Sequence, residues 1–351
     1  MKSIAHYHAA VLDARALFRF ATLPGAHREF AFYLPRAESD DAGSAGNAGN
    51  AGNADKAAGD AEPRLRRYNS YASADALRAD LQRNEVVRIE LGACFSVPPI
   101  QIKFLGLDAY AVARELVFDI DIDAYDVEHV VDAAHRLPPL KRRCCRGAQV
   151  CARCWPLLAC AAECIDVVLR AHLGLAHVLY VFSGRRGVHV WVCDSAAALL
   201  GERARRIVPA TFGALARALG AGTERARASA TAPELEPYVG VIAVMRRHAA
   251  IYAERQGGGT PVDALTMLPR LDAAVTTQIA HLLRAPLVAH HKNGGIALPL
   301  PLADIVALDP ARGVTVDALL GGDARAAELY ERARAHFASF VDAAEARARQ
   351  P

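Results

Sequence analysis

Residues Glu115 to Asp123 spell Glu-Leu-Val-Phe-Asp-Ile-Asp-Ile-Asp, a run in which apolar and acidic side chains alternate. Successive side chains of a β-strand point to opposite faces, so Leu116, Phe118, Ile120 and Ile122 are predicted on one face and Asp119, Asp121 and Asp123 on the other. Such a strand needs a core on one side and leaves carboxylates on the other. Neighbouring carboxylates on one pleated face repel each other unless a cation lies between them. A hard divalent ion, Mg²⁺ or Mn²⁺, suits oxygen ligands at that reach and keeps positions for water and phosphate oxygens. By parity Glu115 shares the acidic face. The alternative is an exposed acidic strand that holds no ion.

The remaining chain has the material for a sheet around this strand. Of 351 residues, 53% are hydrophobic and 23% charged, which excludes wholesale disorder and a disulfide-dense secreted scaffold. That length exceeds what one core usually supports, so an α/β (α+β) body with attached subdomains is expected. No apolar run reaches the roughly 18–20 residues of a membrane helix, and the first residues lack signal-peptide order. An intracellular address without a membrane partner is therefore expected. With a net charge of only +3, any nucleic-acid contact must use local patches.

Segments "REFAFYLPR", "RLRRYNSY", "VVRIELGACF", "HVLYVFS" and "VHVWVCD" are strand-like, and "SADALRADLQRN" is helix-like. Between the first two strands, residues 38–63 turn to Ala, Gly, Asn and Asp, a composition that predicts a solvated low-complexity loop. "PLLACAAECIDVVLRAHLG" has the apolar spacing of a helix that ends at Gly174. Residues 195–255 are Ala-, Arg- and Leu-rich and predict an inserted helical subdomain, after which 256–351 return to the core. A last helix from about Asp323 carries Leu329, Ala333, Phe337 and Val341 as a stripe that docks on the domain or on a partner.

Three further features carry chemistry. "YVFSGRRGVHVWV" predicts a hairpin whose turn, Ser183 to Gly187, is polar and cationic. Guanidinium forks pair with phosphate oxygens and glycines allow close approach, so Ser183, Arg185, Arg186 and His189 form a candidate triphosphate cradle. A solvated turn beside a core histidine is the plainer alternative. Eight cysteines without a secreted context argue for metal rather than disulfides, and Cys144, Cys145, Cys151 and Cys154 within residues 141–156 suit structural Zn²⁺. A set using one of the adjacent pair with His129, His135 or Cys160 is a second possibility. Nearby Lys141, Arg142, Arg143, Arg146 and Arg153 could touch a nucleic-acid backbone or simply face water. Asp272 stands far downstream, either as a further acid at the site or as a helix N-terminal charge, and His281 and Arg284 follow it.

Taken in order, "HREFAF" at His27–Phe32, "RYNSY" at Arg67–Tyr71, "ELVFDIDIDAYD" at Glu115–Asp126, the cysteine knuckle, "SGRRGVHVWVCD" at Ser183–Asp194, "PRLDAAVT", "HLLRAP" and "HHKNGG" resemble the archaeal and eukaryotic DNA primase family, in its small catalytic subunit. The resemblance implies one catalytic domain over 1–351 with a primase fold, an RRM-like mixed sheet flanked by helices, a zinc knuckle and a helical insertion. It implies synthesis of short RNA primers on single-stranded DNA from ribonucleoside triphosphates by two-metal nucleotidyl transfer. Asp119, Asp121 and Asp272 match the acids that hold the two Mg²⁺ or Mn²⁺ ions. Ser183, Arg185, Arg186 and His189 match triphosphate contacts, Arg67 a further phosphate contact, and His290 a nucleotide contact. Arg284 stands where relatives commonly have lysine, and Glu90 where they commonly have a ribose-contacting aspartate. The resemblance also implies a primase large subunit and the DNA polymerase α complex as partners, in a nucleus.

Two other functions use the same features. A metal-dependent phosphohydrolase or nuclease would need the same acids and arginines but would shorten or cleave its substrate. A zinc-stabilised nucleic-acid-binding module would bind without regard to Mg²⁺ and would be indifferent to the aspartates.

Overall fold

Strand pairing divides the β-structure of the described residues into two larger antiparallel sheets, which both line one cleft, and a two-stranded ribbon. The computed structural model describes residues 1–35, 62–105, 110–130, 136–137, 139–140, 144–145, 150–221, 233–258 and 262–348. The predicted loop at 38–63 lies outside them except for Glu62 and Pro63, as do Lys141, Arg142, Arg143, Arg146 and His135.

The chain opens with helices α1 (Lys2–Ala10) and α2 (Ala14–Ala21), the latter capped by Asp13, whose carboxylate accepts from Ala16 N–H at 2.9 Å. Then come β1 (Arg28–Leu34), β2 (Arg64–Asn69), α3 (Ala74–Arg83), β3 (Arg88–Phe95), α4 (Pro99–Leu105), β4 (Ala111–Ala113) and β5 (Leu116–Asp121). A short ribbon, β6 (His129–Val130) with β7 (Arg136–Leu137), precedes α5 (Pro156–Val167). The hairpin is β8 (Val178–Phe182) and β9 (Gly187–Val192). Helices α6 (Ser195–Ala198), α7 (Glu202–Arg205), α8 (Ile207–Ala221) and α9 (Val239–Arg255) make the inserted segment. The return consists of α10 (Ala273–Thr277), β10 (Leu283–Arg284), β11 (Leu298–Leu300), α11 (Leu302–Ala307), α12 (Val316–Leu320) and α13 (Ala324–Ala348).

One sheet runs β10-β3-β1-β2, with β4 on the end of β3, and the other runs β11-β8-β9-β5. Every pairing among the described strands is antiparallel, so the architecture is α+β with two antiparallel sheets in place of one mixed sheet. Both sheets are closed late in the chain, by β10 and β11, and this brings the C-terminal third back to the site.

The predicted alternation in β5 holds through Asp121. Leu116, Phe118, Ile120 and Ile122 are fully buried, each contributing roughly 1.5–3 kcal/mol by transfer from water. After Asp121 the chain turns into a 3₁₀ helix, Ile122–Tyr125, so Asp123 leaves the pleat. Glu115 does not line the cleft: it is fully buried, and Arg28 Nη1 lies 2.8 Å from its Oε2. Parity placed it on the acidic face, but a buried arginine claims it.

The stripe on α13 docks on the chain's own core. Ala333, Phe337 and Val341 are fully buried, Phe337 meets Phe20 at 5.2 Å, and Phe20 meets the edge of Trp191 at 5.5 Å. Opposite, Trp155 packs edge-on against Phe182 and donates its indole N–H to Ile305 O at 2.7 Å. The acid-bearing sheet is thus held from both sides. No described helix is long and apolar enough to cross a membrane.

Candidate active site

A cleft of about 930 Å³ lies between the sheets and collects the residues predicted for the site apart from the cysteines and apart from Asp123 and Glu115 of the predicted acidic face. Asp119, Asp121 and His189 come from β5 and β9, and Ser183, Arg185 and Arg186 from the turn between β8 and β9. Glu90, Arg67 and Arg284 come from β3, β2 and β10 of the facing sheet, while Asp272 and His290 arrive on the return segment. The register of β5 against β9 pairs Asp119 with His189 and Asp121 with Gly187, which puts acids and imidazole on one face.

The acids feel one another. Burial, followed by the negative charges of Asp121 and Asp272, pushes the Asp119 carboxyl up to about 8, partly offset by Arg284. Burial and Asp123 push Asp121 up to about 6 against the pull of Arg186. Arg186 Nε is 2.8 Å from Asp121 Oδ2, and Arg186 Nη2 is 2.8 Å from Asp123 Oδ2. Asp121 Oδ1 is buried with no hydrogen-bond partner among the described residues. Asp272 caps α10, its Oδ1 accepting from Ala274 N–H at 2.9 Å and Val275 N–H at 3.2 Å, so the N-terminal-charge role holds while the side chain also lines the cleft. Its own N–H donates to Asp119 O at 3.1 Å. An orphaned buried oxygen among mutually repelling acids fits a bound cation.

Ser183 builds the turn from within: its Oγ accepts from Gly187 N–H at 2.9 Å and Arg186 N–H at 3.3 Å. Gly184 has φ +76°, and a Cβ there would stand 2.6 Å from Ile296 O. The turn is therefore pressed against the Gly294–Gly295 loop that follows His290. Arg284, almost fully buried, donates to Ser183 O, and burial beside Arg88 pushes its guanidinium down to about 9. Burial, then Arg284 and Arg88, hold the His189 imidazole well below its ordinary value, so it is neutral at neutral pH. His290 is likewise held below its ordinary value, first by burial and then by Arg284. Its Nδ1 accepts from Lys292 N–H at 3.1 Å, which leaves the proton on Nε2.

Across the cleft, Arg67 is clamped by the fully buried Glu29, Nε to Oε1 at 2.9 Å and Nη2 to Oε2 at 3.0 Å. Glu90 accepts from Tyr33 O–H at 2.8 Å and pairs with Arg88, whose guanidinium lies 4.8 Å over the Tyr33 ring. Arg88, Tyr33, Gln278, His291 and Lys292 line the cleft without having been singled out from sequence. Arg88 was within reach, since it stands two positions before Glu90 on the same face of β3. His291, stacked on His290 at 5.0 Å, had no pattern to mark it.

Away from the cleft, Cys144, Cys145, Cys151 and Cys154 place their Sγ atoms within 4.8 Å of one another. Among the described residues this is the one group of metal-ligating side chains so gathered; the acids of the cleft are spread more widely. Cys160 instead lies with Cys164 and donates to Met267 O, so it is not a member of the set. Gln256, just past α9, donates to Cys144 Sγ at 3.8 Å and to Arg153 O at 3.3 Å, which ties the helical insertion to the knuckle. Four thiols at this spacing are a donor set for one metal ion.

The family model described as the DNA primase small subunit matches residues 118–302, more than half of the chain. The DNA primase small subunit of Saccharomyces cerevisiae is 38% identical over 144 residues, 41% of this chain and 32% of that protein. That of Drosophila melanogaster is 26% identical over 321 residues, 72% of this chain and 70% of that protein. The archaeal small subunit of Pyrobaculum calidifontis is 30% identical over 207 residues, 55% of this chain and 54% of that protein. The match thus spans about a third of the yeast relative's length and over two thirds of the fly relative's. The matched region contains both acids of β5, the cationic turn, Asp272, Arg284 and the cysteine quartet, and on that ground the chain belongs to the DNA primase small subunit family.

Proposed function

We infer that the protein is a DNA primase that copies single-stranded DNA into short RNA primers by joining ribonucleoside triphosphates. One observation carries the residue roles: three carboxylates and a set of guanidinium groups face one another in a single cleft, the two halves of a nucleotidyl-transfer site. Asp119, Asp121 and Asp272 would hold two Mg²⁺ or Mn²⁺ ions. When bound, such ions acidify the attacking 3′-hydroxyl and neutralise charge on the pyrophosphate leaving group.

Arg185, Arg186, Arg284, Ser183 and His189 hold the triphosphate, and Arg67 adds a phosphate contact at the mouth. Neutral His189 donates an N–H to phosphate oxygen and is too weak a base at neutral pH to take the hydroxyl proton. Glu90 and His290 face the nucleotide, with the His290 Nε2–H as donor. Holding the reacting groups in line supplies most of the catalysis. The cleft receives template through its backbone and reads no sequence. The cysteine quartet would hold Zn²⁺ as a closed structural site, because four thiolates leave no position for water. The relatives are named small subunits, which supports a larger companion chain, and we assign a primase large subunit and the polymerase α complex, in a nucleus, as the setting.

The test incubates the protein with single-stranded DNA, labelled ribonucleotides and Mg²⁺ or Mn²⁺, beside the Asp119→Ala/Asp121→Ala double variant. Short RNA and released pyrophosphate from the parent alone are expected. Shortened DNA without longer products would move the site to the hydrolases.

A further inference from the structure

Behind the acidic face lies a buried charged cluster to which the polymerase reading gives no role. Arg28, Arg114 and Arg205 are 2%, 0% and 0% exposed and surround one carboxylate, Glu115, also at 0%. Apolar side chains could fill that volume without the desolvation that guanidinium groups demand, so the arginines call for a reason beyond packing.

Their hydrogen bonds supply it. Arg205, on α7, donates Nη2 to Arg114 O at 2.6 Å and Nη1 to Glu115 O at 2.9 Å, gripping the backbone where it enters β5. Arg28 holds the Glu115 side chain beside it. From that fixed point Arg114 Nη1 donates to Gln278 O at 2.9 Å and Val275 O at 3.2 Å, at the carbonyl end of α10. The opposite end of α10 carries Asp272, whose N–H donates to Asp119 O. A helix of five residues has little stability of its own, so its direction is set by these two attachments. Val275 and Gln278 line the cleft and Arg114 does not, so Arg114 acts through them.

We propose that Arg114 is a positioning residue: it fixes the carbonyl end of α10 so that Asp272 faces Asp119 and Asp121, while Arg205 and Arg28 hold the segment that carries it. The inference rests on the acids acting together as the polymerase reading has it. Its guanidinium meets two carbonyls from one nitrogen, while the planar head fixes the direction of approach; a lysine ammonium on a flexible stem cannot.

The test uses the full chain as Arg114→Met and Arg114→Lys. Three quantities are measured: binding of Mn²⁺ alone by electron paramagnetic resonance, hydrogen exchange at the Ala274 and Val275 amides, and kcat and nucleotide KM in primer synthesis. Loss of an outer contact of this kind is expected to weaken Mn²⁺ binding and lower kcat by about tenfold or more in Arg114→Met, with nucleotide KM within about twofold. The two amides that Asp272 accepts from should exchange faster, and Arg114→Lys should recover part of each loss. A folded Arg114→Met protein with parental Mn²⁺ affinity and parental exchange overturns the proposal. If that variant does not fold, Arg114→Lys decides: parental exchange and Mn²⁺ affinity overturn the proposal, faster exchange with weaker Mn²⁺ binding supports it. Should the parent make no RNA while Mn²⁺ affinity still falls in both Asp121→Ala and Arg114→Met, the positioning role stands and the polymerase reading falls.

Discussion

Arg186 lies across Asp121 and Asp123, its Nε 2.8 Å from Asp121 Oδ2 and its Nη2 2.8 Å from Asp123 Oδ2, so the cationic turn and the acidic strand are joined by one side chain. The same guanidinium offsets the burial and the Asp123 repulsion that push Asp121 up to about 6. Arg186 therefore serves the acids, and in the function proposed above it also meets phosphate.

Replacing it separates them. Removing a charge-assisted contact of about 1.5–3 kcal/mol corresponds to a rise in nucleotide KM of roughly 10- to 100-fold for Arg186→Gln. Arg186→Lys keeps the charge without the fork and should fall between. Steady-state primer synthesis checks this, and a parental KM in Arg186→Gln would remove Arg186 from the phosphate site.

Gly184 makes the turn possible. A Cβ at φ +76° would meet Ile296 O at 2.6 Å, so Gly184→Ala must displace either the turn or the loop after His290. We expect a loss of about 1–3 kcal/mol in urea unfolding together with a collapse of nucleotide binding. Unchanged stability would mean that the two loops are not in contact.

Chelation should act on the fold before it acts on the chemistry. Stripping metal from the cysteine quartet, or introducing Cys151→Ser, is expected to abolish stoichiometric zinc and lower Tm by about 10 °C or more. Elemental analysis and calorimetry read both. Full retention of zinc in Cys151→Ser would require a different ligand set.

His8 gives the protein a pH-dependent weakness. It is buried with Nδ1 donating to Val86 O at 2.8 Å and Nε2 accepting from Ala289 N–H at 3.1 Å, a pairing available only to the neutral ring. Burial, the largest cause, holds it down at about 4 from an ordinary 6.5. The unfolded chain takes up this proton below about pH 6.5 and the folded one only near 4, so the contribution is complete above 6.5 and is lost as pH falls between them. At about 1.4 kcal/mol per unit, the full effect is on the order of 3 kcal/mol. Urea unfolding at pH 7.5 and pH 5 should show His8→Gln losing less stability than the parent on acidification; equal losses would remove His8 as a source.

Much of the site was legible because its signals are local. Asp119 and Asp121 sit in a strand whose period of two is set by backbone geometry, and Ser183 to Gly187 form a turn that its glycines and polar residues define within five positions. The cysteines were legible for the same reason. Arg88 was missed although the rule that finds it is the same, since it lies two positions from Glu90. Glu115 was misplaced because parity describes a strand but not its partner, and Arg28 arrives from a segment far earlier in the chain.

Residue order alone settled that Asp119 and Asp121 share a strand face, that Ser183 to Gly187 make a turn and that four cysteines gather, because those relations depend on repeat geometry over a few residues. Only the folded chain decided that Asp272 would cap a helix and hydrogen-bond Asp119. It alone placed Arg284 beneath Ser183, and it buried three arginines behind the acids. Those relations depend on which distant elements pair and on how much water the pairing excludes. Neither is written in the spacing of neighbouring residues, because burial and long-range hydrogen bonding are properties of the assembled sheets.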